Sequence, residues 1–136
     1  LRSSSAASDV YKRQESEMIT GEKDLEKAAK ALHKLGPKFV IIKKAADGAE
    51  LFNFDKRFNS IAFKVDKVVD PTGAGDCFIG GIAGYLTQSK NISFDTIKSA
   101  IAYGTSIASY NVESIGTKNL LNLSINDIKT RINKLH

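Results

Sequence analysis

Apolar and polar positions alternate along the chain in ways that predict most of its elements. Between Glu22 and Leu35, the residues Leu25, Ala28, Ala29, Leu32 and Leu35 recur at the spacing of one helical face, and Gly36-Pro37 ends the run. His33 lies off that stripe and is expected in solvent. Phe39 to Lys43 is a short continuous apolar run, the pattern of a strand buried on both faces of a parallel sheet. Residues 43–48 then read as a turn and 49–54 as a second strand. Ile61, Phe63 and Val65 alternate with Ala62, Lys64 and Asp66, which predicts a half-exposed strand running on to Val68-Val69. Beyond it a helix is expected from Asp76 to about Gln88, and a second over 94–111 on Phe94, Ile97, Ile101 and Ala108. Ser124 to Asp127 has the form of a capping box, and Ile125, Ile128, Ile132 and Leu135 give a final amphipathic helix.

This order predicts an α/β layer structure with helices on a largely parallel sheet. The first of the three later helices carries Gly80, Gly81 and Gly84. Each glycine costs about 1 kcal/mol in a helix relative to alanine. Their presence is expected to reflect a need for small size against a neighbouring element. Residues 1–14 show neither helical nor strand periodicity, are rich in Ser and Ala, and begin without Met. They are expected to be a foreign or disordered leader outside the fold.

Composition narrows the classes of function. The 136 residues, 42% of them hydrophobic, can bury one modest core and form one domain. No apolar run approaches the length of a membrane span, and no secretory signal is visible, so no membrane partner is expected. The single cysteine, Cys77, fits a reducing compartment, and a cytoplasmic protein is expected. Part of the net charge of +5 sits in residues 1–14, where Arg2, Lys12 and Arg13 outnumber Asp9. The mild remainder suits a small anionic ligand and offers no basic, aromatic-interleaved patch, so no nucleic acid is expected.

The chemistry concentrates in Val68-Val69-Asp70-Pro71-Thr72-Gly73-Ala74-Gly75-Asp76-Cys77-Phe78-Ile79-Gly80-Gly81. An apolar stretch breaks at Asp-Pro, passes through small residues and opens into a helix. The first N–H groups of a helix lack intrahelical partners and sit at the positive end of its dipole, so such a mouth attracts phosphate. Gly73 and Gly75 let the backbone approach a ligand closely. Asp76 would repel a ground-state phosphate, which points to a base that takes a proton from an attacking hydroxyl. An acidic residue in a first helical turn is the alternative, favoured by the dipole alone. Cys77 reads as core rather than as a nucleophile, because it has no clear histidine partner. No Gly-Lys-Ser/Thr follows, so the loop is not a Walker A motif, and the third glycine of the dinucleotide fingerprint is missing.

The string Asp70 to Gly81 resembles the C-terminal signature of the ribokinase-like, or PfkB, family of carbohydrate and nucleoside kinases. The resemblance extends over residues 15–136 and implies the C-terminal portion of such a kinase domain. Relatives are longer, and what precedes residue 15 in them supplies most of the sugar pocket and its lid. The resemblance implies Asp76 as catalytic base and the amides of Gly73, Ala74 and Gly75 as the anion hole. It implies nucleotide-phosphate contacts at Lys43, Ala45 and Gly48, where Ala45 replaces the first glycine of the family loop. Lys44 and Asp47 are expected as exposed turn residues. Glu17 matches the family glutamate that organises Mg²⁺ through water, while Gln14 stands where the family has Asn. Asp70 and Thr72 match positions through which many relatives bind a monovalent cation such as K⁺; Asp70 reads equally well as a turn cap.

Gly104, Thr105 and Asn111 fall on the adenine side of the resemblance. The implied activity is transfer of the γ-phosphoryl group of ATP to a hydroxyl of a sugar or nucleoside, with Mg²⁺. The full-length parent would pair as a homodimer, and this stretch alone would be inactive or poorly active. The other reading is a non-catalytic nucleotide-binding module.

Overall fold

The computed structural model describes residues 3–4 and 8–135. The chain divides into two compact units, residues 1–60 and 61–136, rather than building around one core.

The first unit is a five-stranded mixed sheet with helices on it. Its strands are β1 (Ser3–Ser4), β2 (Ser8–Lys12), β3 (Phe39–Lys43), β4 (Ala49–Phe52) and β5 (Arg57–Ser60), in that spatial order. Helices α1 (Arg13–Thr20) and α2 (Leu25–His33) join β2 to β3. That crossover makes β2 and β3 parallel, with Val10 opposite Ile41. The remaining pairs are antiparallel. The expected largely parallel sheet is therefore corrected: β3, β4 and β5 follow one another through short turns, which can only join antiparallel neighbours.

The expectation of a disordered leader also fails for Ser8–Lys12, which form β2 with Val10 and Tyr11 buried. Five residues are too few for periodicity to show, and Asp9 hid the apolar character: it is buried and accepts a hydrogen bond from the Tyr11 hydroxyl at 2.6 Å. Residues 1, 2 and 5–7 of that leader lie outside the described residues. Tyr11 packs with Ala28, Ala29, Leu32, Val40, Ile42 and Phe52, and Leu25 covers the cluster.

Helix α2 begins where Asp24 accepts from the Lys27 amide at 2.9 Å. His33 is not in solvent. It shares a face with Ala29, one turn earlier, and is 9% exposed. Its Nδ1 lies 2.9 Å from the Pro37 carbonyl and its ring 4.7 Å from that of Phe54.

The second unit is built from α3 (Ala74–Thr87), α4 (Phe94–Val112) and α5 (Ile125–Asn133). Residues 61–65 and 68–69 form no strand; the last strand is β5, ending at Ser60. Instead, the amides of Val69 and Asp70 both donate to the Val112 carbonyl, at 2.7 and 3.1 Å.

Helices α3 and α4 touch at glycines. A Cβ on Gly81 would stand 2.7 Å from the Gly104 Cα, and one on Gly104 would stand 2.5 Å from the Phe78 carbonyl oxygen. Small size is thus required at Gly81. Gly80 and Gly84 meet nothing within 4 Å, so the expectation does not extend to them. Ser93 caps α4 through the Thr96 amide at 3.1 Å. The predicted box at α5 is present: Ser124 accepts from the Asp127 amide at 3.1 Å, and Asp127 accepts from the Ser124 amide at 3.0 Å. Helix α5 is tied to α4 by Ser106, whose hydroxyl donates to the Ile128 carbonyl at 3.1 Å, and by Arg131. The Arg131 guanidinium bonds Glu113 at 2.6 Å and Ser109 at 3.0 Å while lying 3.5 Å from the Tyr110 ring centre.

Candidate active site

In the second unit, the mouth of α3 is shaped by one backbone conformation. Gly73 caps the helix at φ +82°, a left-handed geometry that a side chain would strain. The preceding turn is closed by Asp70, whose carboxylate accepts from the Thr72 amide at 3.0 Å. The Thr72 hydroxyl, then the Thr72 amide, then the Gly116 amide hold the Asp70 carboxyl below the ordinary Asp value. Asp70 therefore does cap the turn.

Ala74 was expected to offer its amide to a ligand, but that amide donates to the Pro71 carbonyl at 3.2 Å. The amides of Gly73, Gly75 and Asp76 donate to no acceptor among the described residues. The uncommitted amides at the helix mouth are thus those of Gly73, Gly75 and Asp76, the last of which sequence reasoning did not single out. Asp76 is exposed beside them. A carboxylate and uncommitted amides at one positive helix end can receive a proton and stabilise a developing oxyanion. Cys77 lies inward of them, and burial, then the charge of Asp76, push its thiol up, away from a reactive thiolate.

Two of the residues that the resemblance sets on the adenine side make contacts within the chain. Gly104 faces α3, where its missing Cβ admits the Phe78 carbonyl. Asn111 is 3% exposed, and its side-chain amide donates to the Thr72 carbonyl at 2.9 Å. An asparagine closing the apolar run of 94–111 was the only trace of this in the sequence, and its partner could not be read from it. Thr105 is half-buried on α4. A cleft of about 250 Å³ also opens in this unit, lined by residues including Phe63, Lys64, Tyr110 and Arg131, but none of residues 70–76 borders it.

In the first unit, the loop after β3 is a 3-10 turn, Ala45–Asp47, closed by hydrogen bonds from the Lys44 amide to the Gly48 carbonyl at 2.7 Å and from the Gly48 amide to the Ala45 carbonyl at 3.1 Å. Gly48 has φ +89° and ψ −140°, a conformation for which only glycine is suited. Ala45 takes φ +52°, which costs a non-glycine residue about 1 kcal/mol.

Lys44 is not an exposed turn residue. Its ammonium donates to Asn59 at 2.6 Å and Glu50 at 3.2 Å, and its side chain is 10% exposed. Glu50 also accepts from Arg57 at 2.6 Å. Burial by itself raises the Glu50 carboxyl, but the bonds and charges of Arg57 and Lys44 together bring it below the ordinary Glu value. The one acidic residue in Ala49-Glu50-Leu51-Phe52 was the sequence signal for this pinned lysine. Asp47 is exposed, as expected.

Glu17 lies on α1, half-buried, and Lys43 closes β3, also half-buried. Gln14 is the second residue of α1. Glu15 accepts from the Lys12 amide at 2.8 Å and so caps the same helix. No group of three His, Cys, Asp or Glu side chains able to hold a metal occurs among the described residues. Among them, too, no helix is long and apolar enough to cross a membrane.

Known proteins resemble this chain in sequence and fold. The family described as pfkB family carbohydrate kinase matches residues 10–123. A cytidine kinase of Thermococcus kodakarensis is 43% identical over 70 residues, 50% of this chain and 25% of that protein. An ATP-dependent 6-phosphofructokinase of Thermoanaerobacterium thermosaccharolyticum is 33% identical over 120 residues, 85% of this chain and 35% of that protein. Among solved structures, the ribokinase of Thermotoga maritima superposes with a TM-score of 0.74 at 30% identity, covering 91% of this chain and 41% of its own. The fold is therefore ribokinase-like, and the chain spans a quarter to about two-fifths of the length of these relatives.

Proposed function

The chain belongs to the pfkB family of carbohydrate kinases, and from that premise we propose that it carries the phosphoryl-transfer machinery of an ATP-dependent sugar or nucleoside kinase. The observation that carries this reading is the exposed Asp76 carboxylate at a helix mouth whose Gly75 and Asp76 amides are uncommitted. Asp76 accepts the proton of the acceptor hydroxyl as its oxygen bonds to the γ-phosphorus. The bond from that phosphorus to the β,γ-bridging oxygen breaks, and ADP leaves. The amides hold the negative charge on the transferring group, a stabilisation realised mainly in the transition state.

The Ala45–Gly48 loop offers backbone groups to the nucleotide phosphates, with Lys43 as a point charge. Thr105 is assigned to the adenine side. Mg²⁺ keeps several waters and needs few protein carboxylates, so a lone Glu17 fits it without a three-carboxylate cage. When bound, the ion neutralises phosphate charge. Asp70 and Thr72 supply oxygen atoms of the kind a monovalent cation takes; the Thr72 carbonyl keeps a second lone pair beyond its bond to Asn111. The acceptor is a hydroxyl of a sugar or nucleoside, the range spanned by the names of the relatives.

Because the chain spans only part of those relatives, turnover by these 136 residues alone is expected to be slight and nucleotide binding to be the stronger readout. Titration with Mg·ATP should give saturable heat and raise the unfolding midpoint. Asp76→Asn should bind ATP as tightly or more tightly, since a charge facing phosphate is removed, while any measurable phosphoryl transfer falls by about 10²- to 10⁴-fold. Failure of the folded protein to bind ATP, or full transfer by Asp76→Asn, would overturn the assignment.

A further inference from the structure

The end of α4 is laced to the loop that opens α3. The Val112 carbonyl accepts the Val69 and Asp70 amides, and one residue earlier the Asn111 side chain donates to the Thr72 carbonyl at 2.9 Å. The two attachments differ in kind. Carbonyls at a helix C-terminus carry partial negative charge, so they hold N–H groups readily and repel another carbonyl. The Thr72 carbonyl faces that end of α4 and needs a donor there, which Asn111, 3% exposed, supplies. Its Nδ2 also lies 3.7 Å from where a Gly73 Cβ would stand, so the amide closes the space on that side of the left-handed residue.

The geometry points to Asn111 as the positioning residue of the anion site: acting through Thr72, it fixes Gly73 in the conformation from which the Gly75 and Asp76 amides face a phosphate. The side-chain amide of Asn111 donates to the chain itself. The consequence for ATP rests on the function proposed above; the hold on the loop does not.

The test reads the two separately. Amide hydrogen exchange reports the loop at Ala74 and Cys77, which donate to Pro71 and Gly73, with Ile128 and Ile132 of α5 as the internal reference. Asn111→Ala should speed exchange at Ala74 and Cys77 about five- to ten-fold, the worth of one hydrogen bond, and leave α5 unchanged. The dissociation constant for Mg·ATP should rise by a similar factor. Asn111→Asp keeps the shape and loses the donor, so it should behave like alanine; Asn111→Gln keeps a donor on a longer arm and should restore part of the protection. If Asn111→Ala does not fold, the Asp and Gln variants make the same comparison.

Unchanged exchange at Ala74 and Cys77 overturns the hold on the loop. Faster exchange there with unaltered ATP affinity overturns the positioning role. Faster exchange in a protein whose wild type binds no ATP leaves the hold on the loop standing and removes the kinase reading instead.

Discussion

Glu50 shows how one side chain sets the state of a loop. It is 6% exposed on β4, yet carries a charge satisfied from two sides by Lys44 and Arg57. Its carboxyl sits below the ordinary Glu value in the folded protein, so the native state favours the ionised form more than the unfolded chain does. The stabilisation is fully present above the unfolded-chain value and is lost as the pH falls through the lowered one. Urea midpoints measured against pH should therefore drop in the acid range, and Glu50→Gln should flatten that drop while lowering the midpoint at neutral pH. The neutral-pH loss is expected at about 2 kcal/mol, below the roughly 3–5 for a fully buried pair, because the Arg57 side chain is half exposed. A pH profile identical to that of wild type would remove Glu50 as the acid-sensitive group. Residue roles were the least legible part of the sequence. The helix mouth at Gly73–Asp76 could be read from local spacing, since it is a local object. Lys44, Asn111 and His33 could not, because each is defined by a partner or a face that only the fold supplies.

Helices were legible because their stripes repeat over several turns, as in α2 and α4, and strands less so. Ser8–Lys12 and Arg57–Ser60 are short, mixed in polarity and held by pairing with their neighbours rather than by pattern. The contact between α3 and α4 has a sharper test at this scale. Gly104→Ala places a methyl 2.5 Å from the Phe78 carbonyl oxygen, a backbone atom that can yield only if α3 moves. A loss of about 1–3 kcal/mol is expected, with weakened ATP binding as the helix mouth shifts. Gly80→Ala, on the same helix but with nothing within 4 Å, should instead gain about 1 kcal/mol from helix propensity. Opposite signs in thermal or denaturant melts would distinguish a packing glycine from a merely tolerated one; equal signs would mean that the helices are not in this contact.

At the scale of the molecule, the order of helices and strands pointed to the class, α/β, with no membrane-spanning helix among the described residues, but not to the division into two units or the mixed sheet. Ribokinase-like architecture was readable through the Asp70–Gly81 string alone, before any strand order was known. The least expected part of the molecule is β2, and it bears on how the protein must be handled. Trimming at residue 14, where composition suggests a boundary, would cut away Val10 and Tyr11 and strip β3 of its parallel neighbour along Phe39–Lys43. A shortened 15–136 chain should melt without a cooperative transition in its first unit, by circular dichroism and calorimetry alike; a cooperative melt equal to that of the whole chain would mean that β2 adds nothing. For anyone designing an expression vector, Ser8–Lys12 must stay on the chain, however unpromising their composition looks.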